Sequence, residues 1–243
     1  MEAISSAEIV RIWEHSAALH PVARALSLLE NSGMREPDED LNEISIGVRD
    51  GRLLVLRESL FGRALESVTE CPHCGTAIEF ALDVQQLYEP ERQKEMLPSS
   101  LTVGDISLQF RLLNSADLDA VAGSANMQQA RRKLVERSVL EALQGGKRMD
   151  IAALPEAVVD ALSVQLAQAD SQANIAIDLC CPECDGSWPA TFDIAAFLWA
   201  EINVRAKRLL GEVHTLAWTY GWSEADILAM SDARRRFYLG MVQ

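Results

Sequence analysis

"CPHCGTAIEFALDV" at residues 71–84 and "CPECDGSWPATFDI" at residues 181–194 follow one plan, and the reading of that plan decides the fold. Each opens with CPxC. A run able to form a strand leads into each ("LESVTE" and "IAIDLC"), and a second short strand leaves. Both end on an acid followed by an aliphatic residue in the same register, Asp83-Val84 and Asp193-Ile194. Proline inside each CPxC and Gly75 after the first favour a tight turn that aims two sulfurs to one side. Two β-hairpins, each offering two thiolates from its turn, make the ligand pattern of a zinc ribbon.

Cys71, Cys74, Cys181 and Cys184 are therefore the candidate metal ligands. Four thiolates close a tetrahedral shell and leave no open position for catalysis, so Zn2+ is the expected ion. Iron of the rubredoxin type fits the same ligands as the second choice. Free thiols or disulfides without metal are the competing reading. A thioredoxin-type redox pair is disfavoured because no βαβ pattern surrounds either CxxC. Cys180 falls in register with Glu70 and reads as a neighbour of the site. His73 sits within its knuckle but reads as a surface residue of the turn, since four thiolates already complete the shell. The hundred-odd residues between Cys74 and Cys181 make any such metal a clamp on a long loop, which stabilises a fold through chain entropy.

Outward from the knuckles the chain reads mainly helical, an α+β protein with a small β ribbon and an inserted β-hairpin. Four regions are expected: N-terminal helices over 1–68, a discontinuous ribbon over 69–84 plus 176–194, a hairpin-plus-helices insertion over 85–175, and a long helix with short helices over 195–243. Ser6 is a cap candidate for the first helix. Pro21 opens a second that stops at Asn31-Ser32-Gly33, and "SIGVRDGRLLVLRESLFG" forms a third that stops at Gly62. "MREPDEDLNE" reads as an acidic loop or short helix, and "QQLYEPERQKEMLPSS" as a linker. "LTVGDISLQFRLL" alternates around Gly104-Asp105 as a hairpin does. Ser115 is a plausible cap, "ANMQQARRKLVERSVLEALQGG" reads as one helix with a Gly-Gly end, and Pro155 opens another bearing Val159, Leu162 and Leu166. Leu198, Ile202, Ala206, Leu209, Val213, Leu216 and Tyr220 follow a 3.6-residue period to Gly221. Ser223 and Ser231 cap two short terminal helices.

Hydrophobic residues make up 49% and charged residues 24% of the 243, which is ordinary for a folded protein and argues against disorder. With 36 Asp and Glu against 22 Lys and Arg, the net charge is -14, a field that repels phosphate backbones and anionic lipid. Neither nucleic acid nor a membrane is the expected partner. No signal peptide and no bilayer-spanning apolar run is read, so a reducing, cytosolic compartment is the default. The histidines His15, His20, His73 and His214 show no metalloprotease spacing, and no phosphate loop, dinucleotide fingerprint or nucleophile elbow occurs. An enzyme is not expected. Paired acids such as Asp38 with Asp40 read as a solvated face, and Arg131-Arg132-Lys133 is too small for nucleic acid on this background. At the end of the chain Arg234, Arg235 and Arg236 adjoin Phe237 and Tyr238, residue types enriched at interface hot spots. They read either as a partner-binding surface or as a terminal helix packing on its own core.

Taken together, "HPVARALSLL", "SIGVRDGRLLVLRESLFG", the two knuckles and the ending "HTLAWTYGWSEADILAMSDARRRFYLGMV" resemble the baseplate hub assembly proteins of T-even-type contractile phage tails, found also in phage-tail-like injection clusters. The resemblance runs nearly end to end and is least distinctive over 85–150. It implies a non-enzymatic assembly factor or minor baseplate component whose partners are hub and spike proteins, with self-association left open. It implies action in the host cytoplasm during assembly, with or without retention in the particle. T-even members are not defined by CxxC pairs, so the metal rests on the spacing in this chain. The runner-up is a zinc-ribbon adaptor for nucleic acid or a transcription or replication complex, which the charge opposes.

Overall fold

Helix caps and glycine stops set most of the element boundaries in the computed structural model, which describes residues 4–88 and 99–242. The chain begins with helices α1 (Ser6–Ser16), α2 (Pro21–Asn31) and α3 (Ile46–Phe61), followed by strands β1 (Ala64–Glu70) and β2 (Ala77–Asp83) and the short α4 (Val84–Leu87). Next come β3 (Ser99–Val103), β4 (Ile106–Phe110), α5 (Ser115–Val121), α6 (Met127–Ser138), β5 (Val139–Gln144), β6 (Lys147–Arg148) and α7 (Glu156–Ala169). The last elements are β7 (Ile175–Cys180), β8 (Ser187–Phe192), α8 (Ile194–Tyr220), α9 (Glu224–Leu228) and α10 (Asp232–Leu239). Among the described residues helix predominates and every strand pairing is antiparallel, as an α+β reading expects. No helix among the described residues is long and apolar enough to cross a membrane.

Two compact units form, one from Met1–Glu36, Val55–Gly62 and Asp193–Gln243, the other from Pro37–Leu54 and Arg63–Phe192. This division cuts across the regions read along the sequence, because the two ends of the chain share a core. In the first unit, Ile9 and Val10 of α1 pack with Ala206, Leu209, Val213 and Leu216 of α8 and with Ile227 and Leu228 of α9. Helices this short are marginal alone and need such a partner to bury their stripes. The cap of α1 is Ser5, one residue ahead of the expected Ser6, and it forms a reciprocal capping box with Glu8. Trp13 donates its indole N–H to Asn203 at 2.9 Å, and the Arg24 guanidinium lies 4.4 Å over the Trp199 ring. The buried Arg57 donates to both carboxylate oxygens of Glu201 (2.8 and 2.9 Å) and to the Gly62 carbonyl (2.6 Å). Gly62 and Gly221, which stop α3 and α8, take the left-handed φ values of 84° and 70° that favour glycine.

The second unit holds the expected hairpin β3–β4 inside a larger antiparallel sheet of order β3-β4-β5-β6. Here the single helix expected over 125–146 is corrected. The helix α6 ends at Ser138, and Val139–Gln144 turns extended to pair with β4, from Phe110↔Val139 to Ile106↔Gln144. The Gly-Gly pair is then a two-residue hairpin turn with φ of 55° and 79°, not a helix cap. Ile106, Leu108 and Phe110 of β4 share a core with Val139 and Ala142 of β5, Val135 of α6 and Val158, Val159 and Leu162 of α7. Asn114, rather than Ser115, caps α5, and its partner in the capping box is Asp117. Asp117 is fully buried, and it accepts from Arg111 at 2.6 and 2.9 Å, from Arg137 at 2.8 Å and from the Asn114 N–H at 3.0 Å. Burial alone would raise its pKa, but the two arginines and the backbone N–H outweigh it and hold the carboxyl below its usual range. Residues 34–43 are turns and loop. The linker expected around 85–100 lies largely outside the described residues.

Candidate metal centre

The two knuckles are one turn built twice. The β1–β2 ladder closes on Glu70↔Ala77, after which the Cys71 N–H donates to the Thr76 carbonyl and the Gly75 N–H to the Cys71 carbonyl, both at 2.9 Å. The β7–β8 ladder closes on Cys180↔Ser187, and the Cys181 N–H donates to the Gly186 carbonyl at 2.9 Å and the Asp185 N–H to the Cys181 carbonyl at 3.0 Å. The residue after the second cysteine is left-handed in both, Gly75 at φ 76° and Asp185 at φ 54°. Asp is among the few side chains that tolerate this region. The acid–aliphatic exits share a role as well. The Asp83 carboxylate accepts from the Gln85 N–H and Asp193 from the Ala196 N–H, so each hairpin runs straight into a capped helix. Val84 and Ile194, the first residue of each helix, are buried.

These turns bring Cys71, Cys74, Cys181 and Cys184 together, with all four sulfurs within 4.8 Å of one another. Cys71 Sγ lies 3.7 Å from Cys184 Sγ, and Cys74 Sγ lies 3.6 Å from Cys181 Sγ. A tetrahedron of sulfurs about 2.3 Å from a central ion has edges of about 3.8 Å. A disulfide would need about 2.05 Å, and none of the five cysteines forms one. Each knuckle contributes one buried sulfur residue (Cys71, Cys181) and one exposed (Cys74, Cys184). Ile78 and Trp188 form an apolar wall beside the buried pair.

The electrostatics fit a cation. The Cys74 thiol is drawn down to about 6, first by its hydrogen bonds with the Thr76 side chain (3.3 Å) and backbone. At Cys184 a hydrogen bond from the Gly186 backbone favours the thiolate. Desolvation and the three neighbouring sulfurs prevail over it and push the group up to about 12. Adjacent thiolates cannot all ionise without compensation, and a divalent ion among them supplies it. The His73 backbone N–H donates to Cys71 Sγ at 3.4 Å, a bond that would steady this sulfur as a metal ligand.

His73 itself is no member of the cluster; its ring meets Trp188 edge-on at 6.3 Å. Cys180 is exposed at the end of β7 and also stands outside it. One contributor is not anticipated from the sequence. Gly186 matches Thr76 in register, and a Cβ there would lie 2.6 Å from His73 Cδ2 and 3.3 Å from Cys184 Sγ, so glycine lets the knuckles approach. Aligning the two knuckles residue by residue is the signal that would single it out.

The residues expected at the C-terminal surface divide. Arg235 is buried, donating to Glu212 at 3.0 Å, to Asp232 and to the Met230 carbonyl at 2.7 Å, and so pins α10 onto α8. Tyr238 packs edge-on to Trp222 at 4.8 Å. Arg234, Arg236 and Phe237 remain exposed.

A family model described as T4 bacteriophage base plate protein matches residues 26–199, a span that contains both knuckles. Neither the curated proteins nor the solved structures offer a significant match. The match covers well over half of the 243 residues, and the chain belongs to the T4 bacteriophage base plate protein family.

Proposed function

We propose that the protein is a zinc-clamped, non-enzymatic assembly factor or minor structural component of the baseplate hub, in a contractile phage tail or a related tail-like injection system. The observation that carries this reading is the family match running through both cysteine knuckles. Its partners are hub and spike proteins, met in the host cytoplasm as the baseplate forms.

The ion has an architectural task. Cys71, Cys74, Cys181 and Cys184 complete a closed sulfur shell, and a closed shell suits structural zinc better than a catalytic ion. The pair of hairpins is a zinc ribbon in this reading. Clamping them ties together turns 107 positions apart within the second unit. The protein then acts through the surfaces held in place.

Elemental analysis of the purified chain is expected to find about one zinc per molecule, whereas rubredoxin-type iron would colour the protein. A deletion strain is expected to lack complete baseplates, and hub or spike proteins are expected to co-purify with the wild-type chain. Intact particles from the deletion strain would overturn the assembly role.

A further inference from the structure

We infer that the exposed face of α10, with the aromatic shelf beside it, is the docking site for an acidic segment of another baseplate protein. The inference rests on the assembly reading and gives that reading a surface and a partner chemistry. Arg234, Phe237 and Tyr238 recur at helical spacing on α10 and Met241 follows in the turn beyond its end, with Phe237 and Met241 each 63% exposed. Tyr238 ties this face to Trp222 (4.8 Å) and Tyr220 (5.9 Å), while Tyr220 and Trp222 stack at 4.5 Å. Arg234 lies over the Tyr238 ring at 5.8 Å. The inner side of the same helix is occupied by buried Arg235 and by Leu239 and Tyr238, which pack with Trp222 on the core of the first unit, so the outward-facing Arg234 and Phe237 are not needed to hold α10 down.

Charge identifies the occupant. In a chain with carboxylates in large excess, Arg49, Arg57, Arg111, Arg137, Arg205 and Arg235 all pair with Asp or Glu. Arg234 and Arg236 form no ion pair among the described residues: Arg234 meets a ring, and Arg236 donates to a backbone carbonyl of Asp232 at 3.3 Å. Two uncompensated guanidinium groups beside exposed aromatic rings suit carboxylates flanking an apolar side chain, and Arg and aromatic residues are the usual anchors of interfaces. A second copy would bring its own -14 charge against this one, and nucleic acid would face the same repulsion. A protein segment that is acidic only locally meets less opposition.

The test places the photo-crosslinker p-benzoylphenylalanine at Phe237 of the full chain in cells assembling particles. The adduct is then read by mass spectrometry. One baseplate protein is expected, crosslinked through a segment rich in Asp or Glu. Arg234→Glu with Arg236→Glu should lower the yield at least tenfold, and reversing the carboxylates of the captured segment should restore it. Both arginines are exposed, so an unchanged melting temperature serves as the folding control. An adduct with a second copy or with nucleic acid overturns the inference, as does no adduct or a yield indifferent to the charge reversal. A parallel probe at Met127, 85% exposed in the second unit, separates the two claims. A baseplate adduct from Met127 with none from Phe237 removes the docking face and leaves the assembly role, whereas intact particles from a deletion strain remove the role itself.

Discussion

Cys180 and Cys181 are neighbours in sequence with opposite fates, and replacing each by Ser tests the proposed metal clamp on the four-cysteine cluster. Cys181 is fully buried and its sulfur lies 3.6 Å from that of Cys74, across 107 positions of chain. Cys180 is exposed and outside the cluster. A metal bound by the folded chain and not by the unfolded one stabilises by RT ln(1 + [M]/Kd), about 4.1 kcal/mol at a thousandfold excess over Kd, so loss of the site should cost about 4 kcal/mol. That is a large share of the roughly 5–15 kcal/mol typical of a domain. With a urea slope of roughly 2 kcal/mol/M, the midpoint for Cys181→Ser should fall by about 2 M, and bound zinc should drop well below one per chain. Chelation should move the wild type toward the same midpoint and leave the variant nearly where it was. Cys180→Ser should match the wild type in both midpoint and metal content. Equal midpoints and equal metal content for the two variants would refute the clamp.

Two further substitutions probe the second unit. Asp117→Asn leaves Arg111 and Arg137, both partly exposed, facing a neutral amide where they met a buried carboxylate, with an expected loss of about 1–3 kcal/mol in denaturant unfolding. Because the folded-state pKa of Asp117 lies below the ordinary aspartate value of 3.8, its contribution is fully present above that pH. It is lost as the pH falls further, so the variant should show a weaker acid dependence there than the wild type. Gly186→Ala sets a Cβ 2.6 Å from His73 Cδ2 and should destabilise by about 1–3 kcal/mol with weaker zinc retention. His73→Ala in the same chain should recover part of that loss, and additive effects in thermal melts would show that the two residues do not meet.

The four-cysteine cluster is legible in the sequence because its signals are local. Ligand type, a two-residue spacing, proline in the turn and a repeated exit all act within a few residues of one another. The same holds for the starts and stops of helices, where Pro21, Gly62, Gly221, Ser223 and Ser231 stand at or beside the ends they announce. Caps shift by one position where two cappers adjoin: Ser5 is preferred to Ser6, and Asn114 to Ser115, each having an acid three residues on to complete its box.

What the tertiary structure alone decided depends on partners far along the chain. "VLEALQ" suits either a helix or a strand, and the open edge of β4 made it a strand, which turned the Gly-Gly pair from a cap into a hairpin. Arg235 looks from the sequence like its neighbours Arg234 and Arg236, yet Glu212, a full 23 positions away, draws it inside and leaves the other two at the surface. The ends of the chain, read as separate regions, close on one core because the stripe of α1 has no sufficient partner until α8 arrives. Spacing and turn chemistry are properties of a few consecutive residues. Edge pairing, burial and ion pairing are settled only when distant segments compete for the same surface, and no local pattern encodes the outcome of that competition.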